Sequence, residues 1–267
     1  MPIASRSRIV HPEVVLDRFG SRRTRAVSIV VAVLPLVAVA AGAALFFVAE
    51  PAYHASVAED GPVEWATAAV YLLLCPVAAL VAWRRSRRGD RLGALALAVL
   101  AVGFLLIAGE EVSWGQRQLG FAGPPELVER NIQGEANLHN LLGRYALHMA
   151  YIAVGLWGLG LGRVIARLIP AARPTWLYAP RRVRFTWFIP VTAYYLYVDY
   201  LGPALLSLTG PWFQKWALGP ARFQELIELI LAIGFALFSY DALRRTEPDG
   251  YGVADDPYAP AALSPAV

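Results

Sequence analysis

Gly109-Glu110-Glu111-Val112-Ser113-Trp114-Gly115-Gln116-Arg117 decides how the chain is read. An uncharged apolar run, Leu92 to Ala108, leads into it, and two adjacent carboxylates stand where a membrane-length helix must end. A helix C-terminus carries partial negative charge, so its own dipole opposes both acids. Adjacent carboxylates also repel one another. Local helix physics gives no reason for them, so a cation, a shared proton or Arg117 is expected to stabilise them. A second polar stretch, Asn131 to Asn140, follows before the chain turns apolar again.

Working outward, apolar runs of similar length recur. Of 267 residues 57% are hydrophobic and 16% charged, and the mean hydropathy is +0.48. Soluble domains are about 25% charged. Six spans are expected: 26–49, 62–83, 92–109, 141–161, 185–206 and 222–243. Each is long enough for a hydrocarbon core of ~30 Å at ~1.5 Å per residue. The first run is too long for the h-region of a signal peptide and is expected to remain as an anchor. Trp65 and Trp83 flank the second span as interfacial aromatics do.

Charge bias sets the orientation. Nineteen of the 24 basic residues fall in the N-terminal stretch, the 84–91 and 163–184 loops and the C-terminal stretch. The positive-inside rule then places both termini in the cytoplasm. The fold class read here is all-α: a polytopic integral membrane protein of the bacterial cytoplasmic membrane. It comprises a cytoplasmic tail 1–25, a six-helix domain 26–243 with an ordered extracytoplasmic loop 110–140, and a disordered cytoplasmic tail 244–267. The net charge of +4 follows from this bias and is no argument for nucleic acid. The single cysteine, Cys75, excludes an intramolecular disulfide and a cysteine metal cluster.

Ionisable groups near a bilayer are costly and mark candidate sites. On the outer side lie Glu110, Glu111, His139 and His148, read as candidate catalytic residues. Trp114, Gln116, Arg117, Asn137, Asn140 and Arg144 are candidate substrate contacts. Glu111, His139 and Glu228 are candidate ligands of a divalent metal. Glu64 and Glu225 stand at helix N-termini, where the dipole favours them, and read as structural at least as readily as functional. Asp199, among Tyr194, Tyr195, Tyr197 and Tyr200, reads equally as a structural acid bonded to a tyrosine. Asp241, three and four residues before Arg244 and Arg245, reads as a plain salt bridge with them.

Glu110-Glu111-Val112-Ser113-Trp114-Gly115-Gln116-Arg117 together with Asn131, Gln133, Glu135 and Asn137-Leu138-His139-Asn140 resembles a pattern in a family of bacterial polytopic membrane proteins without an established activity. The Glu-Glu pair and the later histidines are also similar to the ligand types of the CAAX-protease family. In that family the arginine would fall two positions earlier than Arg117, and a Phe-x-x-x-His pattern would follow. Independently of these resemblances, the carboxylates and histidines gathered towards the outer face give the expectation of a membrane-embedded enzyme acting on a lipid or lipid-linked substrate at the extracytoplasmic face. The alternatives are a proton- or cation-coupled transporter or receptor, and a membrane scaffold subunit.

Overall fold

The computed structural model describes residues 13–129, 143–161, 164, 168, 182–208 and 222–246. Among them every regular element is a helix, with no strand. The principal helices are α1 (Glu13–Val48), α2 (Glu50–Ser56), α3 (Pro62–Arg87) and α4 (Arg91–Glu111). Short helices α5 (Gln116–Leu119) and α6 (Pro125–Val128) follow. Then come α7 (Arg144–Leu156), α8 (Ile189–Leu196), α9 (Gly202–Leu208) and α10 (Phe223–Arg244).

Among the described residues four helices are long and apolar enough to cross a membrane: Ala26–Val48 within α1, α3, α4 and α10. The 23 residues of Ala26–Val48 reach ~35 Å, enough for a hydrocarbon core. The expected fourth and fifth runs are helical where described but are not uniform α-helices. A π turn at Trp157–Leu161 ends the first, and a π turn at Tyr197–Leu201 joins α8 to α9 in the second.

Contacts fix the directions of the helices. α3 and α4 form an antiparallel hairpin closed by Arg88-Gly89-Asp90. The Asp90 side chain caps α4 by accepting from Gly93 N at 2.9 Å, and it also holds Arg85. At this end Arg88 donates to the Thr246 carbonyl at 2.8 Å, so α10 finishes beside the α3–α4 turn. α10 therefore runs parallel to α3 and antiparallel to α4. Arg184 pairs with Asp241 at 2.6 Å and also donates to the Leu237 carbonyl, which puts the start of the 182–208 segment at the same end. The expected partners of Asp241 were Arg244 and Arg245. Arg184 reaches the carboxylate as well, because Asp241 faces the packed interior of the bundle.

The core is aromatic. Tyr71, Phe104 and Phe235 meet between α3, α4 and α10, and Phe188, Trp157 and Phe238 extend the cluster towards α7 and α8. In a bilayer, helices gain little from leaving lipid, so close packing of small residues has to hold them together. Gly158 shows this directly: a Cβ there would overlap the Phe188 ring. Val30, Val33, Leu34 and Val37 on α1 and Leu72, Leu73, Leu95 and Val99 on the hairpin are exposed. Apolar side chains on the outside and aromatic packing within suit a lipid solvent.

Candidate functional site

At the end opposite the arginine-rich turn, the last residue of α4 meets the first turns of α10. Glu111 faces Glu225 and Glu228, and one carboxylate oxygen from each lies within 4.8 Å of the other two. Three features of the sequence produce this. Glu225 and Glu228 are spaced i, i+3 and share a helix face. The antiparallel run of α4 beside α10 puts a C-terminus next to an N-terminus. The positive end of the α10 dipole then offsets the opposition that Glu111 meets from its own helix.

Tyrosines floor the cluster. The Tyr195 hydroxyl donates to Glu228 Oε1 at 3.2 Å, and Tyr151 hydrogen-bonds the same carboxylate. Their rings stack with centroids 4.6 Å apart and an interplanar angle of 4°. Tyr71, buried, lies within electrostatic range of Glu111 and Glu228. Among the described residues no arginine, lysine or histidine is ion-paired with Glu111, Glu225 or Glu228.

The nearby cations are engaged at the rim. Arg117 reaches Glu64 at 3.1 Å and Asp60 at 3.0 Å, and Arg222 pairs with Glu59. Beside them on α2, burial pushes the Tyr53 hydroxyl well above its ordinary range. The rim is shaped by a strained turn. Ser113, Trp114 and Gly115 all take left-handed conformations, with φ of 45°, 55° and 77°. Each non-glycine residue there costs about 1–3 kcal/mol. The turn buries Ser113 and folds Trp114 back, so that its indole N–H donates to Glu110 Oε1 at 2.7 Å. A Cβ on Gly109 would meet the Trp114 ring at 2.7 Å, so this position needs glycine.

The adjacent acids thus part company. Successive helical residues point about 100° apart, so Glu111 enters the cluster while Glu110 caps the tryptophan. A second buried pair lies beyond Tyr195. His148 Nδ1 is 2.8 and 2.9 Å from the two oxygens of Asp199, and the His148 ring lies 4.8 Å from that of Tyr195. Asp199 sits in the π turn Tyr197–Leu201, which places it against α7.

Of the candidates named from sequence, Glu111 and Glu228 come together, and His148 stands one tyrosine away. Trp114 and Arg117 are held by Glu110 and by Glu64 with Asp60. Gln116 opens α5 and Arg144 opens α7. His139, Asn137 and Asn140 lie outside the described residues, as does the 131–140 stretch. Glu225 and Asp199 were not singled out as site residues. The signal for Glu225 was its i, i+3 relation to Glu228. Nothing local marks Asp199 as the partner of a histidine 51 positions earlier.

Chemically, the cluster offers oxygen donors alone. Carboxylates suit hard cations such as Mg²⁺, Ca²⁺ or Mn²⁺, whereas softer ions favour sulfur or imidazole. No protein-family model, curated protein or solved structure matches this chain.

Proposed function

We propose that the chain is a membrane-embedded, cation-dependent hydrolase of a lipid or lipid-linked substrate. It spans the bacterial cytoplasmic membrane six times, with both termini in the cytoplasm and its site near the extracytoplasmic face. The observation that carries the reading is the convergence of Glu111, Glu225 and Glu228 with no ion-paired base among the described residues. Three carboxylates this close repel strongly unless a cation or protons intervene. A divalent ion held there would polarise a substrate oxygen or activate a water. The apolar helix faces around the site supply a route for a lipid, and the Trp114 and Arg117 rim suits a polar headgroup.

A second reading is cation-coupled transport. It is favoured by Glu228, which lies inside α10 on a floor of buried tyrosines rather than at the open rim. One experiment separates the two. The protein is placed in liposomes of bacterial phospholipid with external Mg²⁺ or Mn²⁺, and both lipid products and luminal cation are measured. Hydrolysis products that vanish with chelator and with Glu228→Gln support the enzyme. Cation accumulation without products supports transport, and neither signal would refute both.

A further inference from the structure

The carboxylate cluster explains the meeting of α4 and α10 but leaves a buried ionisable pair on α7 and the π turn without a role. The Asp199 side chain is fully buried, and only 10% of the His148 side chain is exposed. An ionised carboxylate can only accept, so the imidazole nitrogen bonded to it carries the hydrogen. In the neutral ring the other nitrogen then keeps its lone pair. Among the described residues nothing hydrogen-bonds His148 Nε2. Its aromatic neighbour Tyr195 carries a hydroxyl that bonds Glu228. A nitrogen base whose lone pair no described residue claims therefore sits one side chain away from the carboxylates.

The backbone supports a purpose for this placement. A π turn inserts one residue into a helix, which rotates everything beyond it by about 100°. Such turns recur at functional sites because they re-aim a side chain at some cost in helix geometry. Here the turn contains Asp199 itself.

We infer that His148 is the proton acceptor of this site and that Asp199 is its positioning residue. The inference rests on the hydrolytic reading for its substrate. Nε2 takes the proton of a water as the water oxygen bonds to the acyl or phosphoryl centre. The imidazolium so formed is stabilised by Asp199. It then returns the proton to the leaving oxygen as that bond breaks.

The test is nitrogen NMR of the full-length, ¹⁵N-histidine-labelled protein in detergent at pH 8, with the His148 signals identified by their loss in His148→Gln. The expected spectrum is one neutral tautomer, with hydrogen on Nδ1 and a bare Nε2. Averaged tautomers, or a hydrogen on Nε2, would overturn the inference. Diethyl pyrocarbonate, which modifies bare imidazole nitrogens, supplies a second readout through mass spectrometry of the His148 peptide. Asp199→Asn, whose amide can donate to Nδ1 and so reverse the tautomer, should slow that modification at least tenfold. An unchanged rate and spectrum in Asp199→Asn would leave a packing contact and no positioning role. If that variant does not fold, the wild-type spectrum decides alone. Mn²⁺ affinity measured alongside keeps the two claims apart. Absent Mn²⁺ binding would sink the cation site, while the tautomer would still judge the dyad.

Discussion

At the scale of single residues, Glu111 is set against two other carboxylates within 4.8 Å, the opposition of its own helix being offset by the α10 N-terminus. Two charges about 5 Å apart interact by about 3 kcal/mol at an effective dielectric near 20. Removing one should relieve the apo protein. Glu111→Gln is therefore expected to raise the thermal midpoint in chelator-treated detergent by about 1–3 kcal/mol equivalent while weakening divalent-cation binding at least tenfold. Scanning fluorimetry with and without Mn²⁺ reads both effects, and a destabilised Glu111→Gln protein indifferent to Mn²⁺ would mark Glu111 as structural. Trp114→Phe should behave differently. It removes the indole bond to Glu110 and should cost about 1 kcal/mol in the same assay without changing Mn²⁺ affinity.

At the scale of the elements, four of the expected spans were legible as apolar runs, although α1 begins at Glu13, well ahead of its apolar run. α4 was expected over 92–109 and runs Arg91–Glu111; the last span, expected over 222–243, runs Phe223–Arg244. Neighbour relations were not legible. In lipid every face of a span can be apolar, so the polar stripe that reveals the inward face of a soluble helix is faint. Glu225 consequently read as a favoured N-terminal acid, Asp199 as a tyrosine partner and Asp241 as a partner of Arg244 and Arg245. Tertiary contacts add a partner or neighbour to each: Glu111 and Glu228 for Glu225, His148 for Asp199 and Arg184 for Asp241. The partly buried Arg184–Asp241 pair leads to a prediction at this scale. Arg184→Met removes one partner of the buried Asp241 carboxylate and should destabilise by up to about 3–5 kcal/mol, whereas Arg184→Met with Asp241→Leu should recover most of the loss. Thermal unfolding of the two variants checks this, and equal losses would argue against coupling. Gly158→Ala forces a methyl group into the Phe188 ring and should cost about 1–3 kcal/mol by overpacking, read as a lower midpoint with no change in cation affinity.

At the scale of the whole molecule, the bundle has two unlike ends. One carries the carboxylate cluster with Glu64, Asp60 and Glu59; the other carries Arg84, Arg85, Arg88, Arg184 and Arg245. In the proposed topology the arginine end faces the cytoplasm. In a chain with Cys75 replaced by alanine, Ala122→Cys should react with an impermeant thiol reagent from outside. Ser86→Cys should react only after permeabilisation. The reverse pattern would put the cluster in the cytoplasm and remove the outer-leaflet substrate from the account.

The central claim is that Glu111, Glu225 and Glu228 hold one hard divalent cation, and Mn²⁺ titration followed by electron paramagnetic resonance addresses it most directly. Purified protein in detergent, stripped with chelator, is predicted to bind one Mn²⁺ per chain. That stoichiometry should fall to none in Glu228→Gln and in Glu225→Gln, and should persist in Glu64→Gln. A wild-type protein that leaves all Mn²⁺ in its free aqueous signal, or one whose binding survives both substitutions, would contradict the account.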